Sequence, residues 1–298
     1  MDLHKTKKRR NMIPNEQKIK SIKENLFYRS QDAISDYEKF DWHNHRGNID
    51  TDKFNSSQAI AIDFWGCLEL SPLKVRIINR IFNKSCDEWD IKFEFSDRDL
   101  MSEIRPTQID VKIESDTCAI IIESKFAENN SGRCSQLKKT KKNLIQCNGR
   151  YEDQINPVNN IKSKCALKGK GIRYWDYISS TTTFDIHESQ NPCPFRNREF
   201  QWIRNICFAE AYAMKFKKIT ECYLVYYKSD KCPISKKIYN NNYLGSLNGN
   251  LQNQQNFKQI SYNDLLSEII TSILSKDSNE REIWVELQNW LTGKEKQI

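Results

Sequence analysis

RPTQIDVKIESDTCAIIIESKF, residues 105–126, contains two apolar runs that are rich in β-branched side chains, residues 107–113 and residues 117–126. The polar stretch 114–116 separates them. Short apolar runs on either side of a polar break are typical of two paired strands. The stretch therefore predicts a hairpin, and three ionisable residues interrupt its strands: Asp110, Glu123 and Lys125.

The hairpin geometry predicts where these three side chains point. With a two-residue turn at Ser115 and Asp116, the period-two alternation of strands places Asp110, Glu123 and Lys125 on one face. Asp110 and Glu123 then become diagonal cross-strand neighbours, about 7–8 Å apart at Cα. A four-residue turn keeps this parity, whereas a three-residue turn destroys it.

Two carboxylates on one face suit Mg²⁺ (or Mn²⁺), which takes oxygen ligands and keeps several waters. The Ser124 carbonyl is a further candidate ligand for such an ion. The ion would acidify a bound water and offset charge on a phosphate, and Lys125 could orient or deprotonate that water. The alternative is an ordinary ion pair between Asp110 and Lys125. The run 118–122 is apolar on both faces, which predicts a central strand and favours the metal site.

The order of the other predicted elements places the hairpin within an α/β fold. Residues 56–59 can cap a helix, residues 72–82 predict a second helix, and residues 89–95 alternate as a strand does. After the hairpin, residues 194–217 predict a long helix and residues 221–227 a strand. The predicted order is α-β-β-β-α-β.

This pattern resembles the PD-(D/E)xK nuclease superfamily, because Pro106, Asp110, Glu123 and Lys125 form a P…D-x(n)-E-x-K series. The departure is that Pro106 does not directly precede Asp110. Further stretches resemble a bacterial subfamily of restriction-endonuclease-like proteins: NSSQA (55–59), RPTQID (105–110), ESK (123–125), CPF (193–195) and FQWIRN (200–205). In related nucleases a glutamine on this helix faces the metal, and Gln201 is the matching position.

The resemblance implies a restriction-endonuclease-like αβββαβ core with a mixed sheet over residues 55–227, interrupted by a cysteine-containing insertion at 127–193. A basic and polar segment, 1–54, precedes it, and a loop and C-terminal helices, 228–298, follow. These helices either cap the core or form a homodimer interface.

The implied function is a Mg²⁺-dependent DNA endonuclease of restriction type, with Asp110, Glu123, Lys125 and Gln201 as its catalytic set. Two alternatives stay open at this point. One is an exonuclease or junction-processing nuclease of repair or CRISPR adaptation. The other is a DNA-binding module of the same fold that does not cleave.

Four cysteines of the insertion, Cys134, Cys147, Cys165 and Cys193, are separated by 12, 17 and 27 residues, which matches no Cys-x-x-Cys zinc template. The insertion is polar and has little from which to build a core, so four thiolates could hold it through zinc or an iron–sulfur cluster. Buried thiols without a metal are the alternative. The His43-Asn44-His45 pair likewise could bind a metal or could be surface polar sequence.

The resemblance implies double-stranded DNA as the partner, and a modest basic excess is consistent with a polyanionic partner. The sequence has 47 Lys and Arg against 39 Asp and Glu, a net charge of +8. Candidate DNA contacts are Lys138, Lys139, Lys141 and Lys142, together with Arg196 and Arg198 at the predicted helix start at Pro194, where an anion is favoured. Solvated lysines and local ion pairs of the two arginines are the alternatives.

No apolar run approaches the roughly 20 residues that span a membrane, and the basic N-terminus lacks the apolar region of a secretory signal. The sequence therefore predicts a cytoplasmic protein whose ten cysteines are reduced.

Overall fold

The computed structural model describes residues 13–45, 47–103, 106–137, 147, 167, 171–183, 193–196, 200–239, 251–252 and 257–298. Its strands are β1 (Asn44–His45), β2 (Asn48–Ile49), β3 (Asp90–Ser96), β4 (Gln108–Glu114), β5 (Cys118–Lys125), β6 (Ile219–Tyr226) and β7 (Phe257–Ser261). Its α-helices are α1 (Glu16–Glu24), α2 (Ser57–Ala61), α3 (Cys67–Glu69), α4 (Lys74–Phe82), α5 (Trp175–Thr181), α6 (Phe200–Phe216), α7 (Pro233–Tyr239), α8 (Tyr262–Ser272) and α9 (Ser278–Lys296). A π-helical segment, Ile62–Gly66, joins α2 to α3.

Five strands form one mixed sheet in the order β3-β4-β5-β6-β7. The β3, β4 and β5 strands pair antiparallel, whereas β5, β6 and β7 pair parallel. The predicted α/β class and mixed sheet are confirmed, and the elements follow the predicted order. The sequence analysis missed β7, which adds a fifth strand at the parallel edge.

The β4–β5 hairpin has a different register from the predicted one. Glu114 pairs with Ala119, so four residues form the turn instead of two. Ser115 shapes this turn, because its backbone N–H donates to the Cys118 carbonyl at 2.9 Å and its hydroxyl accepts from the Cys118 N–H at 3.0 Å. The last pair of this register is Val111 with Ile122, one position before Asp110 and Glu123. A four-residue turn keeps the parity of the prediction.

Helices cover both faces of the sheet. Ala119, Ile121 and Leu224 point to the face that packs on α6, whereas Ile120 and Ile122 belong to the core under α4, α8 and α9. Every residue of β5 is buried, which confirms the prediction of a central strand. Strands that are buried on both faces carry continuous apolar runs for this reason.

The N-terminal residues pack on the same body. Ile22, Trp42 and Ile49 share an apolar cluster with Ala59 of α2 and Ile62 of the π-helical segment. The sequence predicts that residues 1–54 form a segment of their own, and this boundary stays a prediction. The described part of the segment nevertheless lies against α2 and the π-helical segment.

The described part of the predicted helix from Pro194 to Lys217 consists of two elements. Residues Pro194–Arg196 form a 3-10 turn, and α6 is described from Phe200. Phe195 is buried in this turn, with its ring 4.8 Å from that of Trp175 and 6.0 Å from that of Phe200. A three-residue 3-10 turn lacks the aligned dipole of a helix, so the predicted anion site at Pro194 loses that basis.

The described residues contain no helix that is both long and apolar enough to span a membrane.

Candidate active site

Glu123 is the buried centre of the site, on the β5 face that packs against α6. Its Oε1 accepts from the Lys125 ammonium at 2.6 Å. Its Oε2 accepts from the Asn205 amide at 2.6 Å and from the Arg204 guanidinium at 3.4 Å. Burial opposes ionisation, but Lys125 and Arg204 outweigh it and lower the pKa of Glu123. Glu123 is therefore a carboxylate whose orientation α6 holds.

Lys125 lies two residues further along β5 on the same face, as the parity predicted, and its side chain is also buried. Burial alone would lower the pKa of Lys125. Its neighbours Glu123, Glu128 and Asp110 reverse this and raise the pKa above the ordinary value. In this state the side chain is a charged donor, and it can orient a water more readily than it can deprotonate one.

Asp110 completes the set from β4. Its Oδ2 accepts from the Ser124 backbone N–H at 2.8 Å. Burial and the nearby charge of Glu123 raise the pKa of Asp110 to about 7, against the opposing effect of Lys125. A buried carboxyl group whose pKa is raised by a neighbouring carboxylate marks a place where a bound cation would be favourable.

Ser124 points its side chain to the opposite face. Its hydroxyl lies 2.7 Å from the Tyr262 hydroxyl and 3.4 Å from the Ser57 carbonyl, both under the other helical layer. The Ser124 side chain is therefore excluded from the metal face. Coordination by its carbonyl stays a prediction.

Gln201 lies one helical turn before Asn205. Its backbone N–H donates to the Ser131 carbonyl at 2.8 Å, and its amide packs on Gly132, where an added Cβ would lie 3.3 Å from Gln201 Oε1. Gly132 has a φ of 74° and leaves room for that amide. The amide that contacts Glu123 belongs to Asn205, for which the sequence predicted no role. The metal-facing role of Gln201 stays a prediction.

Two more residues join Asp110 from elsewhere in the chain. His43 Nε2 lies 3.2 Å from Glu94 Oε1, and ligand atoms of His43, Glu94 and Asp110 all lie within 4.8 Å of one another. Loss of solvent opposes protonation of His43, but Glu94 raises its pKa to about 9. Glu94 was missed because its strand looked like ordinary alternation.

An open cleft of about 530 Å³ adjoins these groups. Mostly polar residues of the N-terminal segment, the start of α2 and the strand ends form its walls: Asp41, Trp42, His43, Asn44, His45, Asp50, Lys53, Asn55, Ser56, Ser57, Gln108, Ala127 and Glu128. His43 is the member of the three-residue group that lines this cleft.

Comparison with known families identifies this chain. The family model REase-ARP, described as "Restriction Endonuclease associating with ARP", matches residues 1–290. The chain belongs to this family. No curated protein and no solved structure matches it. The predicted likeness to restriction endonucleases is thereby confirmed, whereas membership of the PD-(D/E)xK superfamily stays a prediction.

The remaining candidates of this REase-ARP chain are only partly described. Lys138, Lys139, Lys141, Lys142, Arg198 and Cys165 lie outside the described residues. Arg196 is exposed. Cys134 and Cys193 are buried in the core cluster under α6. No cysteine belongs to a potential three-ligand metal group among the described residues, and the zinc or iron–sulfur expectation stays untested.

Proposed function

We propose that this chain is a Mg²⁺-dependent (or Mn²⁺-dependent) DNA endonuclease of restriction type that hydrolyses phosphodiester bonds in double-stranded DNA. The observation that carries the proposal is the proximity of three groups on the β4–β5 hairpin. Lys125 contacts Glu123 at 2.6 Å, and the charges of both groups act on the pKa of Asp110. Membership of a restriction-endonuclease family supports cleavage over binding alone.

We further propose that the central elements form a restriction-endonuclease-like core of the PD-(D/E)xK type. The order of helix, β3, β4, β5, α6 and β6 supports this assignment. So does the position of Glu123 and Lys125 on a central strand, between an antiparallel and a parallel neighbour.

The donor set fits a divalent cation with a preference for oxygen. Asp110 and Glu123 supply carboxylates from adjacent strands, and the Ser124 carbonyl is the candidate third ligand. When bound there, the ion would acidify a water and stabilise negative charge on the phosphate.

The protein groups around this position have separable roles. Lys125 carries a positive charge beside Glu123 and is placed to orient the attacking water. Asn205 and Arg204 bind Glu123 Oε2, so they position the carboxylate and are not proposed to touch substrate. A supporting shell of this kind keeps a reactive group within a fraction of an ångström of its working geometry.

The family description also names an association with ARP. We propose that this chain acts together with such a component, so cleavage is best assayed with and without it.

The test is cleavage of closed circular plasmid by the purified chain in Mg²⁺, in Mn²⁺ and in EDTA. We expect nicked or linear product that EDTA abolishes. A closed circle has no free end, so its cleavage would exclude a pure exonuclease. Asp110→Asn and Lys125→Ala should reduce cleavage by about a hundredfold or more. DNA affinity should be largely retained in both, because phosphate affinity arises from many basic contacts.

Lys84→Ala is the matched control, because Lys84 makes a comparable 2.7 Å ion pair with Glu221 near the opposite end of β5. It should cleave as the wild type does. Wild-type cleavage by Lys125→Ala would refute the assignment. If the chain binds DNA but does not cleave it in Mg²⁺ or in Mn²⁺, even with ARP present, the result would favour a DNA-binding module that does not cleave.

A further inference from the structure

Glu94 has an unusual backbone in the middle of β3. Its φ is 48°, in the left-handed region that non-glycine residues seldom adopt. Phe93 pairs with Val111 and Phe95 with Ile109, but the ladder skips Glu94. Local strain of this kind within a strand is concentrated at functional sites, where it redirects a side chain.

The redirected Glu94 side chain is buried, with 5 % of its surface exposed, and only one of its two carboxylate oxygens has a hydrogen-bond partner. Oε1 accepts from the Gln58 amide at 2.7 Å and lies 3.2 Å from His43 Nε2, whereas Oε2 is buried without a hydrogen-bond partner. A buried carboxylate oxygen that lacks a partner is unfavourable, because nothing replaces its lost hydration. A cation bound to that oxygen would remove this cost.

Two other potential metal ligands lie close to the Glu94 carboxylate. His43, Glu94 and Asp110 each offer one ligand atom, and these atoms lie within 4.8 Å of one another. Two ligands on one metal, each bound at about 2.0–2.2 Å, are at most about 4.4 Å apart. Three ligands on one metal lie closer together than this limit, so side-chain movements of about an ångström would close the set.

We propose that His43, Glu94 and Asp110 bind a divalent transition-metal ion, at a site separate from the oxygen-only position between Asp110 and Glu123. An imidazole nitrogen selects for transition metals over Mg²⁺, while two carboxylates keep Mn²⁺ among the accepted ions. Three protein ligands leave coordination positions open for water or a phosphate oxygen. The site shares Asp110 with the proposed nuclease centre but does not depend on cleavage.

Gln58 organises the site without touching the ion. It is buried, its amide nitrogen donates to Glu94 and to the Asp41 carbonyl, and its carbonyl accepts from the His43 backbone N–H at 2.8 Å. The Thr51 hydroxyl donates to the same oxygen. Gln58 therefore holds the two ends of the cluster, the His43 loop and β3, in register, as hydrogen-bonded partners of metal ligands do.

The competing explanation is a plain His43–Glu94 ion pair with no metal. Both explanations place the same two side chains in contact. They differ in whether the orphaned Glu94 oxygen and the His43 nitrogen bind an added ion.

The experiment is Mn²⁺ binding to the full chain, followed by electron paramagnetic resonance, with pulsed measurement of ¹⁴N coupling from a bound imidazole. Wild type should show the ¹⁴N coupling. His43→Gln should lose it, and its Mn²⁺ affinity at this site should fall at least about tenfold, since even outer partners of a metal ligand account for 10–100-fold. Glu94→Gln, which preserves side-chain shape, should weaken binding similarly.

His45→Gln is the matched control, because His45 lies two residues away and outside the three-ligand group. It should retain both the coupling and the affinity. Thermal melting without metal shows whether each variant is folded, and added Mn²⁺ should raise the melting temperature of wild type more than that of His43→Gln. Unchanged affinity and ¹⁴N coupling in folded His43→Gln would overturn the site and leave the ion pair.

Failure of this site and failure of the proposed nuclease give different results. In Glu123→Gln the ¹⁴N coupling should persist, because Glu123 is not a member of the three-ligand group. Plasmid cleavage without His43-dependent coupling would refute the transition-metal site alone. Coupling without cleavage would refute the nuclease alone.

Discussion

Replacement of Lys294 by Met should destabilise the chain, because it leaves a buried carboxylate without its counter-charge. Asp63 is fully buried in the π-helical segment, and the Lys294 ammonium lies 2.8 Å from its Oδ2. Asp63 also accepts from the Phe27 backbone N–H at 2.6 Å and from the Trp290 indole at 2.9 Å. The cluster joins α9, near the end of the chain, to the N-terminal segment.

The magnitude follows from burial. Removal of one partner of a buried ion pair costs about 3–5 kcal/mol, because the remaining charge stays desolvated. Methionine retains most of the apolar stem, so the lost charge dominates. At about 2.1 cal/mol/K per residue, unfolding of 298 residues has an entropy of about 0.6 kcal/mol/K, so the melting temperature should fall by about 5–8 °C.

Calorimetry or circular dichroism on heating measures this fall. Lys20→Met is the matched control, because Lys20 lies 3.9 Å from Glu24 on an exposed helix face, with side chains 77 % and 65 % exposed. Its effect should stay below about 0.5 kcal/mol. Asp63→Asn together with Lys294→Met should cost less than the sum of the single changes. A Lys294→Met melting temperature no lower than that of the control would refute the reasoning.

Two further predictions concern polar networks on the sheet. Burial would raise the pKa of Glu114, but hydrogen bonds from Lys112 and Lys218 outweigh it and lower this pKa from 4.5 to about 2. The ionised Glu114 carboxylate therefore stabilises the fold above about pH 4.5, and this stabilisation is lost as the pH falls toward 2. Over this range the free energy of unfolding of the wild type should fall by about 1–2 kcal/mol more than that of Glu114→Gln, after allowance for solvent screening. Asn205→Leu deprives the Glu123 carboxylate of its amide donor and should cost about 1–3 kcal/mol in urea unfolding and slow plasmid cleavage at least about tenfold. Wild-type values for both measurements would contradict the positioning role of Asn205.

The hairpin illustrates how far local sequence reaches. Alternation and apolar runs are properties of neighbouring residues, so the two strands and the shared face of Glu123 and Lys125 could be predicted. The register depends on the turn, and there the Ser115 side chain bonds to Cys118 and widens the loop to four residues. A contact of that kind leaves no periodic signal.

Contacts between distant elements could not be predicted from the sequence for a related reason. Asn205 contacts Glu123 across 82 positions, and Gln58 reaches Glu94 across 36. The left-handed backbone of Glu94 breaks no pattern, because the residues around it still alternate. The short strand β7 was missed as well, because its pairing partner β6 lies more than 30 positions earlier.

The sequence by itself determined the α/β class, the central strand and three candidate catalytic residues, because each depends on the spacing of neighbouring side chains. Only the tertiary structure decided that Asn205 and Arg204 hold Glu123, and that His43 and Glu94 stand beside Asp110. Those contacts arise when the helices and the N-terminal segment pack on the sheet. Packing depends on the three-dimensional complementarity of distant surfaces, which one-dimensional spacing does not encode.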